Sequence, residues 1–263
     1  MSFIKFLLFT LVLTFSYNLS AQSPYQTSWK KDRGYIATGA VVTGLGLYFR
    51  GKAPLFTPDE LLTLDPNDIN AFDRIATSNN STSAGHASDV LWSTSHVLPF
   101  LFLANKRTRN DFGTLSAIYG EVFLINGGLT LLIKNTARRP RPFVFNSEVD
   151  IAGKLKPNAK TSFLSGHTSF TAANTFFVAQ VFSDYFPDSK MKPLVWVLGA
   201  AIPAATGYFR VAAGKHYPTD VITGYLLGAA TGILIPHWHK NKKRNKDVTF
   251  NMGYNSAYFS LRF

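Results

Sequence analysis

The sequence predicts an all-α bundle of about six helices, embedded in a membrane. Three observations carry that reading. Apolar stretches recur along the chain, and in each of them apolar residues cover most faces, which rules out the period-2 pattern of strands. Charged breaks separate several stretches, among them Lys106–Arg109 and Asp188–Lys192. No Pro/Ser/Gly linker divides the 263 residues, so a single domain is expected.

Residues 1–21 read as a signal peptide: Lys5 gives a small positive region, Phe6 to Phe15 an apolar run, and Ser20-Ala21 a small-residue exit. An uncleaved first anchor is the alternative. Residues 22–85 hold a short apolar segment at 34–49 and a polar region from 54. In that region Thr57-Pro58-Asp59-Glu60 is a helix start, with proline in the first turn and acids near the positive end of the dipole. Ser78 to Gly85 reads as a loop. The core, residues 86–239, carries apolar stretches at about 87–104, 112–133, 167–186, 194–209 and 219–236. Residues 240–263 are a basic segment followed by aromatic and polar residues in alternation about a turn at Gly253–Ser256, which predicts a β-hairpin.

A membrane span needs about 20 mainly apolar residues. Several stretches are shorter, and the third contains Glu121 and Asn126. The mean hydropathy is +0.04. A soluble helical bundle behind a cleaved signal is therefore the rival to membrane embedding. The basic clusters Lys106–Arg109, Lys190/Lys192 and Lys240–Lys246 follow the second, fourth and sixth stretches, so alternating spans put all three on one side. By the positive-inside rule that side is cytoplasmic. The 34–49 segment fits this scheme poorly if the signal is cleaved, which leaves open a re-entrant or interfacial segment, or a retained anchor.

Composition narrows the chemistry. Without cysteine there are no disulfides, thiol nucleophiles or zinc-thiolate sites. A formal charge of +12 suits an anionic partner. Nucleic acid is not expected, because no zinc-finger, basic-helix or base-stacking signature is present.

Three clusters lie at helix ends on the outward side. Lys134 and Arg141 follow the third stretch, Ser165-Gly166-His167 precedes the fourth, and Arg210, His216 and Asp220 straddle the turn between the fifth and sixth. Each alone has an ordinary reading: a solvated basic collar, a helix cap, a surface pair. Together they suit a phosphate group. Lys134, Arg141 and Arg210 supply three cations, and the arginine forks match phosphate oxygens. Ser165 and the amide of Gly166 stand before a helix start, where anions bind. Pro218 fits the first turn of the sixth helix and puts Asp220 within reach of His216. A carboxylate on one ring nitrogen leaves the other basic, as a nucleophile requires. His167 is then suited to protonate a leaving oxygen.

The spacing of these residues, over about residues 85–237, resembles the three-part signature of the type 2 phosphatidic acid phosphatase superfamily. That group includes lipid phosphate phosphatases, class A acid phosphatases and vanadium haloperoxidases. The resemblance implies that His216 attacks phosphorus with support from Asp220, and that His167 is the general acid. Lys134, Arg141, Ser165, Gly166 and Arg210 would hold the phosphoryl oxygens. Cations would stabilise the charge that Mg²⁺ neutralises elsewhere, so no metal and no cofactor are expected. Two positions depart from the usual pattern: Leu164 stands where proline is common, and Phe209 where serine is common. The implied protein is a metal-independent phosphatase of the cell envelope, working through a phosphohistidine with its site facing the periplasm. Its candidate substrates are phosphatidic acid, phosphatidylglycerol phosphate, polyprenyl pyrophosphates and lipid A phosphates. A soluble periplasmic acid phosphatase with broad specificity, a haloperoxidase and a non-catalytic binding protein are the rivals. His237 and His239 resemble a metal pair but lie beside the basic tail, and His86 and His96 lack matched partners. Glu121 and Asn126 are read as packing groups between helices.

Overall fold

The computed structural model describes residues 23–241 and the strand segments 248–253 and 256–261. The expected signal peptide and most of the basic tail lie outside the described residues. Among the described residues six long helices make the bundle: α1 (Trp29–Gly51), α2 (Thr82–Ser95), α3 (Phe112–Ala137), α4 (Gly166–Tyr185), α5 (Lys192–Ala212) and α6 (Pro218–Trp238). The hairpin follows, with β1 (Val248–Gly253) antiparallel to β2 (Ser256–Leu261) and Gly253 paired with Ser256.

Helix α4 is the centre of the bundle, and α2, α3, α5 and α6 all pack on it. Most of its polar residues are buried, and several find partners on neighbouring helices. Thr175 Oγ1 donates to the Gly199 carbonyl at 2.8 Å, and Asn174 Nδ2 donates to Ser95 Oγ at 3.0 Å. Ser169 Oγ donates to Asn126 Oδ1 at 2.8 Å, which bears out Asn126 as a packing group between helices. Polar side chains of this kind hold helices together where the surroundings are apolar. The approach of α6 to α4 is close. A Cβ on Gly228 would lie 2.0 Å from the Ser169 carbonyl oxygen, so only glycine lets the two backbones meet there.

Among the described residues three helices, beginning at Phe112, Lys192 and Pro218, are long and apolar enough to cross a membrane. Their outer faces expose Phe123, Val197, Ile222 and Leu226, and α1 exposes Ile36 and Val41. An apolar outer surface is what a lipid environment favours and what a water-soluble bundle avoids.

Two stretches differ from expectation. The 34–49 segment is part of a 23-residue helix, α1, about 34 Å long. Lys30, Lys31, Asp32 and Arg33 continue it rather than stopping it, because charges are tolerated in a helix's first turns. Helix α1 runs parallel to α3: Gly39 faces Leu124, and Gly46 faces Leu131 and Leu132. It therefore stands as one continuous helix beside the third stretch. The 87–104 stretch is divided. Helix α2 begins at Thr82, inside the loop expected over 78–85, and ends at Ser95. A 3₁₀ segment at Leu98–Ala104 follows, with Pro99 in its first turn.

The basic clusters gather at one end of the bundle. Lys240 Nζ pairs with Asp184 at 2.8 Å, the Arg107 guanidinium lies 5.8 Å from the Tyr185 ring, and Lys192 Nζ donates to the Pro187 carbonyl at 2.8 Å. The opposite end is capped by a small second core of Phe56, Phe143, Val144 and Ala159. The helix start at Thr57 contributes to that cap. Its side chain and Glu60 form a capping box, and Glu60 pairs with Lys160 at 2.9 Å.

Candidate active site

The turns at the capped end bring the three sequence clusters together around His216. Gly214, with φ of +64°, makes the turn after α5 that the next two residues follow. The backbone amides of Lys215 and His216 then both point to the Arg210 carbonyl, at 3.0 and 3.4 Å. Pro218 opens α6 as expected. Ser165 is the N-cap of α4, its Oγ accepting from the Thr168 amide at 3.4 Å, and its own amide donates to the Asp220 carbonyl at 2.9 Å. That bond fastens the second cluster to the third.

His216 is 1% exposed. Burial, then the positive charges of Lys134, Arg141 and Arg210, hold its pKa well below the ordinary histidine value. The imidazole is therefore neutral, the state a nucleophile needs. Lys134 reaches the site from the last turn of α3, with Nζ donating to the Thr161 carbonyl at 2.9 Å, and its side chain passes close to Gly166. Arg141 and Arg210 are both buried, and the Nε of each has no hydrogen-bond partner. Buried guanidinium donors without acceptors are costly, and an anion in the site would satisfy them.

Asp220 makes more contacts than the one to His216 that the sequence suggests. Its Oδ2 lies 3.5 Å from His216 Nδ1, a charge contact too long for a strong hydrogen bond. The same oxygen accepts from the Tyr217 amide at 2.9 Å and from Ser162 Oγ. Its Oδ1 accepts from Arg139 at 2.7 Å. Arg139 also pairs with Asp73 at 2.8 Å and lies 3.9 Å over the Tyr217 ring. Asp73 in turn accepts from the amide and hydroxyl of Thr219. Asp220 is thus held rigidly at the start of α6, with one oxygen toward the imidazole.

Four participants carry no sequence signal. Asp89 of α2 accepts from or pairs with His167 Nε2 at 2.9 Å and accepts from Arg210 at 3.2 Å, joining the second and third clusters. Lys215 adds a cation; burial, then Arg141 and Arg210, push its pKa down. Arg139 and Asp73 form the brace under Asp220. An isolated acid on α2, or one arginine in a basic run, is indistinguishable in sequence from surface charge. The His167 ring lies tilted against Trp92, with ring centroids 4.8 Å apart.

Residues 115–244 match the family model described as PAP2 superfamily. The chain belongs to the PAP2 superfamily. The matched region holds all eight residues of the three clusters. Phosphatidylglycerophosphatase B of Bacillus subtilis is 30% identical over 117 residues, which are 44% of this chain and 54% of that protein. The chain thus matches about half the length of this curated relative. A crystal structure of a transmembrane PAP2-type phosphatidylglycerolphosphate phosphatase from Bacillus subtilis overlays with a TM-score of 0.44 at 18% identity, covering 92% of this chain and 96% of that one.

Proposed function

We propose that this PAP2 protein is a phosphatase that releases phosphate from a phosphorylated lipid through a phosphohistidine at His216. The observation that carries the reading is a buried, neutral imidazole among Lys134, Arg141 and Arg210, with both arginine Nε donors unpartnered. Three cations and the amides at the start of α4 suit the three equatorial oxygens of a phosphoryl group in flight.

In the first step a ring nitrogen of His216, Nε2 by its position opposite Asp220, attacks phosphorus. The bond to the ester oxygen breaks, and His167 gives that oxygen a proton. In the second step water attacks phosphorus, the P–N bond breaks, and the proton of the water passes to His167. Asp220 steadies the imidazolium character that develops on His216, and Asp89 orients His167. No step calls on a metal ion.

A lipid substrate is supported by the surroundings. A cavity of about 390 Å³ lies between α3, α4 and the 3₁₀ segment, lined by His96, Phe100, Phe112, Tyr119 and Phe123 among others. His96 meets Trp92 at 5.0 Å between ring centroids, and Trp92 meets His167. An apolar volume linked to His167 by this run of ring contacts suits an acyl or prenyl chain. The relative's name makes phosphatidylglycerol phosphate one substrate to test; phosphatidic acid, polyprenyl pyrophosphate and lipid A phosphate are others. With the basic end in the cytoplasm, the site would face the periplasm from the inner membrane.

The experiment is an alkaline denaturing quench of purified protein after mixing with ³²P-labelled lipid phosphate. Label that survives base but not acid, located on His216 and absent from His216→Ala, is expected, with turnover lost in that variant. Full turnover by a folded His216→Ala protein would sink the proposal.

A further inference from the structure

The end of the bundle opposite His216 holds a second cluster that the phosphatase reading does not use. Asp32 of α1, Glu121 of α3 and His239, the residue after α6, each direct one atom to a common point, all within 4.8 Å of one another. Nε2 of His239 lies 3.3 Å from Asp32 Oδ1 and 3.2 Å from Glu121 Oε2. We infer that these three side chains form a binding site for one divalent transition-metal ion, which ties α1 to α3 and α6.

The tautomer is the first argument. His239 Nδ1 lies 2.8 Å from the Ile235 carbonyl oxygen, a contact that requires a proton on Nδ1. In the neutral ring Nε2 then turns a lone pair toward two carboxylate oxygens, and three electron-rich atoms converge. A histidine whose far nitrogen donates to a backbone carbonyl is the usual form of a metal ligand.

Burial is the second argument. Glu121 is 3% exposed, and its Oε2 has no hydrogen-bond partner. Adding a proton to Nε2 would leave one negative charge over among the three groups. A divalent ion beside a neutral imidazole balances two carboxylates fully, as a buried site demands. Geometry is the third. Metal–ligand bonds of about 2.1 Å at the tetrahedral angle place their donor atoms about 3.4 Å apart, close to the 3.3 and 3.2 Å from His239 Nε2 to the two carboxylate oxygens, which lie within 4.8 Å of each other. One imidazole with two carboxylates suits zinc or manganese better than the all-oxygen shells of calcium and magnesium. Asp32, only partly buried, leaves a path for entry.

The ion would act on the architecture. Next to the cluster, the Gln26 amide donates to the His239 carbonyl at 2.9 Å and the Asn241 amide donates to the Pro24 carbonyl at 2.9 Å, so the chain before α1 is already laced to the end of α6. The cluster lies about 30 Å from His216, the length of α6. His237, the partner that its spacing suggests, is exposed and takes no part in the cluster.

The test uses the full-length, tag-free protein in detergent, stripped with EDTA and dialysed against Zn²⁺ or Mn²⁺, with bound metal counted by mass spectrometry. One ion per chain is expected. Glu121→Gln, His239→Gln and Asp32→Asn should each weaken uptake by at least about tenfold, while His237→Gln should match the parent. Metal should raise the melting temperature of the parent and not of Glu121→Gln. Circular dichroism selects variants that remain helical, and Asp32→Asn at the rim is the least disruptive. No stoichiometric uptake of either ion by the folded parent, or equal uptake by all three ligand variants, would overturn the site.

Discussion

Replacing Gly228 by alanine tests whether the closeness of α6 to α4 sets the catalytic geometry. The new Cβ would lie 2.0 Å from the Ser169 carbonyl oxygen, and 2.8 Å from both Ala172 Cβ and the Ala173 nitrogen. Carbon–oxygen contacts normally stand at about 3.3–3.6 Å, so the helices must separate by about 1 Å; neither the carbonyl nor the amide can swing aside. Overpacking of this kind costs about 1–3 kcal/mol, offset in part by about 1 kcal/mol from alanine's better helix propensity. Stability should therefore fall only modestly. Activity should fall further, because Ser169 stands one turn from Ser165, whose amide holds the Asp220 carbonyl at 2.9 Å. A shift of 1 Å in a reacting group costs on the order of 10²-fold. The assay is kcat and KM on a lipid phosphate in detergent, with a thermal melt alongside. We expect kcat to drop about 100-fold, with KM less affected. Gly113→Ala, where nothing lies within 4 Å, should behave as the parent. A folded Gly228→Ala protein with the parent's kcat would refute the reasoning.

Two further predictions concern the histidines. His167→Ala should lose on the order of 10²–10⁴-fold on an alkyl or lipid phosphate but less on p-nitrophenyl phosphate, whose leaving group needs little protonation; equal losses on both would remove His167 as the general acid. The pH profile of kcat/KM should fall on the acid side only below the ordinary histidine value, because burial and three cations lower the pKa of His216 and keep it neutral. Arg141→Gln removes one of those cations, so the pKa should rise and the acid limb should move to higher pH, while the substrate's own ionisation stays fixed. An acid limb unchanged between parent and variant would contradict that electrostatic account.

What the sequence made legible was the part built from helix ends. Ser165 as a cap, Pro218 as a first-turn residue, and the cations after α3 and α5 follow from local rules that the fold does not override. Asp89 was invisible because its importance comes from the packing of α2 against α4, which no residue near it announces. The role of Asp220 was only half legible. Its spacing from His216 pointed to a dyad, whereas its tightest partners, Arg139, Ser162 and the Tyr217 amide, come from segments that meet only in the folded protein. The length of α1 was hidden for a different reason. A hydropathy reading stops at Lys30–Arg33, but backbone hydrogen bonding does not, and the glycines that seat α1 on α3 carry no hydropathy signal of their own.

Those pieces explain how so much positive charge is kept at one buried point. Arg139 is neutralised by Asp73 and Asp220, and its fixed position makes it a brace rather than a ligand. Arg210 shares Asp89 with His167, at the more exposed edge of the site. Lys134 is held by backbone carbonyls, which orient it without cancelling its charge. Arg141 has no acidic partner among the described contacts, and its Nε, like that of Arg210, has no acceptor. The acids thus hold Arg139 and one side of Arg210, while Lys134 and Arg141 are left without an acidic partner among the described contacts. On the proposed function, a doubly charged phosphoryl group would meet cations that need break no pair to help it, above all Lys134 and Arg141. The cost falls on the resting fold, and the packing of α4 against four neighbours carries it.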